Sequence, residues 1–171
     1  VYLHTHMSEN LNEIAWVEEL FPRLDHYLHS YDEAGLLGRR SVFAHCVHLS
    51  EAEWQRMAAT GCNAAFCPTS NLFLGSGLFP LASAERHAVE VGLGTDIGAG
   101  TSLSLLETID EAYKVQQLQG TTLSPLKSFY LATLGGVRAL DLEEHLGNFL
   151  PGKEADFLVL DLAPTPLLEA R

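Results

Sequence analysis

The residues of this chain that could do chemistry fall in short clusters, the first being His-Thr-His-Met-Ser-Glu-Asn at 4–10. Two imidazoles and a carboxylate stand within six residues of one another, directly after Val1-Tyr2-Leu3. On a strand, His4 and His6 point to the same face because side chains alternate with period two. Such a face suits a metal ion. Three more clusters follow: His45 ends Ser-Val-Phe-Ala-His, Asn-Ala-Ala-Phe runs into Cys67-Pro68-Thr69-Ser70-Asn71, and Gly94-Thr95 leads to Asp96. A His, a His, an Asn or Ser and an Asp, each at the end of an apolar run, fit metal-assisted hydrolysis. A divalent ion with imidazole and carboxylate ligands brings the pKa of its water toward neutrality, and a carboxylate beside it collects and redelivers protons. In this scheme His6 is a ligand and Asp96 is a ligand that also acts as base toward the water. Glu9 carries protons to the substrate, and His45 orients the water or stabilises the developing oxyanion.

The elements that must position these residues are legible as β-type runs at 1–6, 41–46, 63–67 and 88–94, each followed by helical pattern. That alternation predicts βα units and a parallel sheet. In parallel α/β barrels the C-terminal ends of the strands face the active site, and all four clusters stand at such ends. Helices are expected over 10–20 and over 26–37 before Gly38. A third is expected from the capping box Ser50-Glu51-Ala52-Glu53 to a stop at Gly61, and two more over 103–119 and 124–134. Residues 68–80, rich in Ser, Asn and Gly without a period, read as a long loop. After a Pro-Gly turn at 151–152, the alternating Asp-Phe-Leu-Val-Leu-Asp-Leu reads as a strand outside the βα rhythm.

The remaining histidines and the cysteines read as structural. His4 lies deeper on the face it shares with His6 and is expected to pack inside the barrel. His26 and His29 fall on a helix and are expected to be solvated; His48, His87 and His145 default to the surface. Cys46, Cys62 and Cys67 have no zinc-knuckle spacing and default to buried small hydrophobes.

Composition narrows the function class. The 171 residues hold 10 Lys plus Arg against 22 Asp plus Glu, a net charge of −12 with no basic cluster, which argues against a polyanion partner such as nucleic acid. No apolar run approaches the roughly 18 residues of a membrane span, and the expected compartment is the reducing cytoplasm. Competing motifs fail: Gly92-Leu-Gly94-Thr-Asp96-Ile-Gly98 is GxGxxxG, one residue too long for a dinucleotide fingerprint. There is no G-x-S-x-G for a serine hydrolase, and the H-x-E with P-C-x-x-C of the compact nucleobase deaminases is missing.

HTHMSEN, SVFAHCVHLS, CPTSNLFLGSG, GLGTDIGAG, LATLGGVRAL and LGNFLPGKEADFLVLD, in this order, resemble the amidohydrolase superfamily and within it the guanine deaminases. The resemblance implies a (β/α)8 TIM-type barrel with a small appended β domain, one zinc ion per site, and hydrolysis of guanine to xanthine and ammonia. It makes His6 the fifth-strand zinc ligand, Glu9 the acid/base touching the purine, His45 the sixth-strand catalytic histidine, and Asp96 the eighth-strand ligand and base. Asn71 joins Glu9 and Asp96 in lining the substrate pocket. The family's first-strand His-x-His pair and its upstream Arg-Phe segment are not matched; only three further strands follow His4-Thr5-His6, so it is not that first pair. The chain therefore reads as the C-terminal half of the barrel, strands five to eight over 1–145, with the start of a β domain over 146–171. The other ligands are expected outside it, and the segment is expected to pair with the N-terminal half or with a second copy and to be inactive alone. Deamination of another purine, a pyrimidine or a triazine, and a purely structural half-barrel, stand as alternatives.

Overall fold

The computed structural model describes residues 1–161. Four strands, β1 (Leu3–Met7), β2 (Ser41–His45), β3 (Asn63–Phe66) and β4 (Val91–Leu93), form one parallel sheet in the order β1-β2-β3-β4. Each strand pairs with the next in the chain, so the sheet has no reversal of order. The four expected strands are all present with shifted bounds: β1 and β4 start later, and β2, β3 and β4 each end one residue earlier. The last begins at Val91 rather than 88 because Ala88 turns through φ +56 and Val89 closes on the Ala84 carbonyl.

Parallel strands are covered on both faces and read as continuous apolar runs. Every residue of β2 is buried, and Phe43 and Phe66 are fully so. Together with Met7, Leu28, Met57, Phe79, Val115 and Leu131 they form the core. Burying each such side chain contributes about 1.5–3 kcal/mol before entropy is counted.

Helices α1 (Leu11–Leu20) and α2 (Tyr27–Glu33) join β1 to β2, and α3 (Glu51–Thr60) joins β2 to β3. The Ser50–Glu53 capping box forms as expected, and Gly61 ends α3 at φ +73, a left-handed conformation that costs glycine little. Glu53 is buried and its Oε1 also accepts the Leu28 N–H at 3.2 Å, which ties α2 to the start of α3. The second helix is shorter than its pattern, stopping at Glu33 because Gly35 turns at φ +68.

Residues 68–80 are not a loop throughout: α4 (Pro68–Leu74) starts on Pro68 and ends on Gly75 at φ +70. Its buried residues are Pro68, Thr69, Ser70 and Asn71, so it faces the interior with a polar side and carries no apolar period to betray it. A further short helix, α5 (Leu81–Arg86), follows. After β4 come α6 (Leu105–Leu118), α7 (Pro125–Ala132) and α8 (Leu134–Ala139). The helix expected over 124–134 breaks at Thr133, and α8 escapes detection because Gly135 and Gly136 weaken its pattern while allowing it to lie directly on β4. The strand expected in the tail is not formed. Residues 154–161 make no ladder, since alternation without a neighbouring strand satisfies no backbone groups, and Leu162 lies outside the described residues.

Candidate active site

β1 delivers two site residues by its end and its turn. In the sheet register His6 pairs with Ala44, Ala44 with Ala65 and Ala65 with Gly92, so the histidine stands at one end of a row of small residues. That row leaves space above the sheet: His4, His6, Ala44, Ala65, Cys67 and Asp96 border a cavity of about 280 Å³. A larger one of about 460 Å³ opens beside Tyr2, Leu37, Arg40 and Asp141 and gathers no histidine.

The strand ends share an unusual backbone. Ser8, His45, Cys46 and Asp96 all have positive φ, between 47° and 73°. Such conformations are uncommon for residues with a Cβ and cost about 1–3 kcal/mol each. Those at the ends of β1 and β2 are held by cross-strand bonds: Cys46 N–H donates to the Met7 carbonyl at 3.0 Å, and Val47 and His48 N–H both donate to the Ser8 carbonyl at 3.1 Å; the Asp96 carbonyl accepts from Gly100 N–H at 2.6 Å within its own turn. In the turn after β4, a Cβ on Gly100 would lie 1.9 Å from the Thr95 carbonyl oxygen, so only glycine closes the turn that presents Asp96.

Four predicted residues meet here. The His6 and His45 rings stack with centroids 5.1 Å apart and planes 12° from parallel. His45 Nε2 lies 3.7 Å from Glu9 Oε2 and 3.9 Å from Asp96 Oδ2. Candidate ligand atoms of His6, His45 and Asp96 all lie within 4.8 Å of one another, the imidazole and carboxylate donor set that suits zinc. His6 is exposed on the open side, Asp96 and Glu9 are partly buried, and His45 is buried completely.

Asn71, on α4, reaches this group from below: its Nδ2 donates to His45 Nδ1 at 2.9 Å, with both residues in the interior. A neutral His45 then carries its proton on Nε2, facing the two carboxylates. Burial pushes the His45 imidazole below its usual 6.5, against the opposing pull of Glu9 and Asp96. His45 Nε2 and Asn71 Oδ1 are both buried without a hydrogen-bond partner among the described residues. Nearly all buried polar atoms in folded proteins have a partner, so these two unpaired atoms single out this part of the interior. Cys67, at the cavity wall, has its thiol pushed up to about 12 by burial and by the Asp96 charge, and acts as an apolar wall rather than a nucleophile.

A model of the amidohydrolase family matches residues 1–170. The chain belongs to the amidohydrolase family. Among amidohydrolases of known sequence, it is 58% identical to guanine deaminase of Escherichia coli over 170 residues, 99% of this chain and 39% of that protein. It spans about two fifths of the relatives it matches. A solved structure of E. coli guanine deaminase superposes with a TM-score of 0.97 at 57% identity, covering 100% of this chain and 40% of that one. A guanine deaminase from C. acetobutylicum with guanine bound in its active site gives 0.82 at 34% identity, over 89% and 38%. An adenosine deaminase from Xanthomonas campestris with bound zinc gives 0.84 at 30%, over 91% and 36%.

Several histidines of this amidohydrolase lie elsewhere than expected. His4 is exposed on the cavity wall rather than packed, because no described residue covers that face. His48 and His87 are not free surface groups: His48 Nε2 bonds the Ser76 carbonyl at 2.7 Å, and His87 bonds Glu51 Oε1 at 2.7 Å and the Ser83 carbonyl at 2.8 Å. His26 caps α2 through the His29 N–H and lies 3.7 Å from Glu53, while His29 stays half-exposed beside Asp25 and His145 is exposed. The three cysteines are buried and unpaired, as expected. Sequence reasoning missed Ser76, which donates to Glu9; its one signal is the pair of glycines that bracket it.

Proposed function

We propose that the full-length protein is a guanine deaminase, releasing ammonia from guanine with water to give xanthine, and that this chain supplies barrel strands five to eight. The convergence of His6, His45, Glu9 and Asp96 at the C-terminal ends of β1, β2 and β4 carries the reading. The guanine deaminase relatives give it its substrate.

His6 and Asp96 would hold a zinc ion together with ligands outside the chain; His45 stays out of that set because Asn71 occupies Nδ1 and leaves a proton on Nε2. Zinc held there makes water nucleophilic near neutral pH. Asp96 would take one proton from water, whose oxygen adds to the ring carbon that bears the exocyclic amine while Glu9 gives a proton to the adjacent ring nitrogen, and His45 Nε2–H would donate to the added oxygen. The proton held by Asp96 would then pass to the amine, which leaves as ammonia as its carbon–nitrogen bond breaks, and Glu9 would recover a proton from the added hydroxyl to give the xanthine carbonyl. Asn71 lies beneath His45 and does not border the cavity, so its effect on a bound purine would come through His45 unless the pocket opens further.

β1 and β4 are each paired on one side only among the described residues, which supports pairing with the N-terminal half or a second copy. The change from helices to residues 146–161, which form neither helix nor strand, supports a boundary after 145. Among the described residues no helix is long and apolar enough to cross a membrane, and the three free thiols fit a cytoplasmic setting.

Ammonia release by the full-length protein with zinc, from guanine, adenine, adenosine, cytosine and a triazine, tests the reading. Turnover on guanine that exceeds the others at least a hundredfold in kcat/KM is expected. Preference for adenosine, the substrate class of the X. campestris neighbour, would move the assignment to a related deaminase, and zinc binding without turnover on any ring would point to a structural role.

A further inference from the structure

Ser76 sits sixty-seven positions from Glu9 in the chain, yet its Oγ donates to Glu9 Oε1 at 2.8 Å. The serine is buried and its backbone is fixed from two sides. Its N–H donates to the Asn71 carbonyl at 2.8 Å, closing the end of α4, and its carbonyl accepts from His48 Nε2 at 2.7 Å. The next residue has room only for glycine: Gly77 has φ +135, and a Cβ there would come within 2.8 Å of Val47 and 3.3 Å of the His48 ring. The hydroxyl is therefore aimed by α4 and by the loop after β2, not by its own rotamer alone.

A carboxylate on a glutamate has a soft terminal torsion and swings between roughly equivalent orientations unless a bond selects one. Here Ser76 engages Oε1, and the oxygen left facing His45 Nε2, at 3.7 Å, is Oε2. The Glu9 backbone is fixed separately, through its N–H to Glu13 Oε2 at 2.7 Å. From this division of labour between the two oxygens, we propose that Ser76 is the positioning residue of the proton-carrying Glu9: it pins Oε1 so that Oε2 alone meets the reacting atoms. The inference rests on the assignment of Glu9 as proton carrier.

In the full-length zinc-loaded protein, Ser76→Ala is expected to lower kcat about tenfold with KM changed less than about threefold, since a group held only loosely in place loses transition-state rather than ground-state stabilisation. Ser76→Thr, which keeps the hydroxyl, should recover kcat to within about threefold. In a Glu9→Gln background Ser76→Ala should cost nothing further, because residues that act as one unit are not additive. A crystal structure of Ser76→Ala should show the Glu9 carboxylate turned away from His45. Full activity in Ser76→Ala with a dead Glu9→Gln overturns the proposal and leaves the Glu9 assignment standing; activity in Glu9→Gln overturns that assignment first. Loss of melting temperature or bound zinc in step with kcat, in both Ala and Thr variants, also overturns it by making the role structural.

Discussion

Replacing Asn71 tests how His45 is fixed in the candidate site, with kcat reporting the tautomer and KM any contact of Asn71 with the purine. Asn71→Leu keeps the volume of the side chain, so little cavity cost arises, but it removes the donor that lies 2.9 Å from His45 Nδ1. Both residues are inside the protein, with Asn71 1% exposed and His45 0%. An imidazole nitrogen left unpaired in that setting costs about 1–3 kcal/mol, so the unfolding free energy of the full-length protein, read from urea denaturation, should fall by that amount. The catalytic cost comes from the tautomer. A net hydrogen bond of about 1.4 kcal/mol biases the proton toward Nε2 roughly tenfold, and without it the share of His45 in that tautomer falls from about nine tenths to about half, so kcat should fall about twofold. Asn71→Asp makes a sharper case. An ionised aspartate only accepts, so it draws the His45 proton to Nδ1 and strips Nε2 of the hydrogen aimed at the carboxylates. Its kcat should lie at least tenfold below that of Asn71→Leu even though the variant is the more conservative in shape. Steady-state kinetics with guanine on the three proteins decide the matter. Equal kcat in Asn71→Asp and Asn71→Leu, or wild-type kcat in either, would refute the argument that α4 sets the tautomer.

Three further perturbations follow from the same geometry. Asp96→Asn should abolish turnover and reduce bound zinc while leaving the melting temperature within a few degrees, checked by ammonia release, metal analysis and thermal unfolding; retained activity would remove Asp96 from the chemistry. Glu53→Ala should cost about 2–4 kcal/mol against about 1 kcal/mol for Ser50→Ala, because Glu53 also holds the Leu28 N–H of α2; urea unfolding of both variants gives the ratio, and equal losses would show that the link between α2 and α3 contributes nothing. Burial, with Tyr31 and Glu13 adding to it, pushes the Tyr27 phenol well above its usual 10. The unfolded chain loses that proton near pH 10 while the folded one keeps it, so stability present below pH 10 is lost as the pH rises beyond it; Tyr27→Phe should flatten the alkaline slope of the urea midpoint.

Where the sequence predicts well and where it does not follows from what each element is made of. The four strands are apolar runs buried on both faces, and a run such as Val42-Phe43-Ala44 has no helical alternative of sufficient length. The α3 helix carries its own start and stop in Ser50, Glu53 and Gly61. The α4 helix carries neither period nor apolar face, because the side it buries is Thr69, Ser70 and Asn71, turned toward His45. A method that finds helices by the face they hide from water misses one that hides polar groups. His48 fails for a related reason: a lone histidine reads as surface until the Ser76 carbonyl is brought to it by a turn twenty-eight positions away.

The same contrast bears on the site. His6, Glu9, His45 and Asp96 are legible because each directly follows or ends an apolar run, and a parallel sheet puts all such ends on one side. What holds them to working geometry is not legible. It consists of positive φ at Ser8, His45, Cys46 and Asp96, of Asn71 beneath His45, and of Ser76 beside Glu9. Left-handed turns at residues with a Cβ persist only where surrounding bonds over-determine them. Here those bonds come from the neighbouring strand end, the Met7 and Ser8 carbonyls accepting the N–H groups of Cys46, Val47 and His48. The ends of β1 and β2 are therefore tied to each other by backbone hydrogen bonds, and Asn71 beneath His45 and Ser76 beside Glu9 tie the same candidate residues to α4 and the turn that ends it.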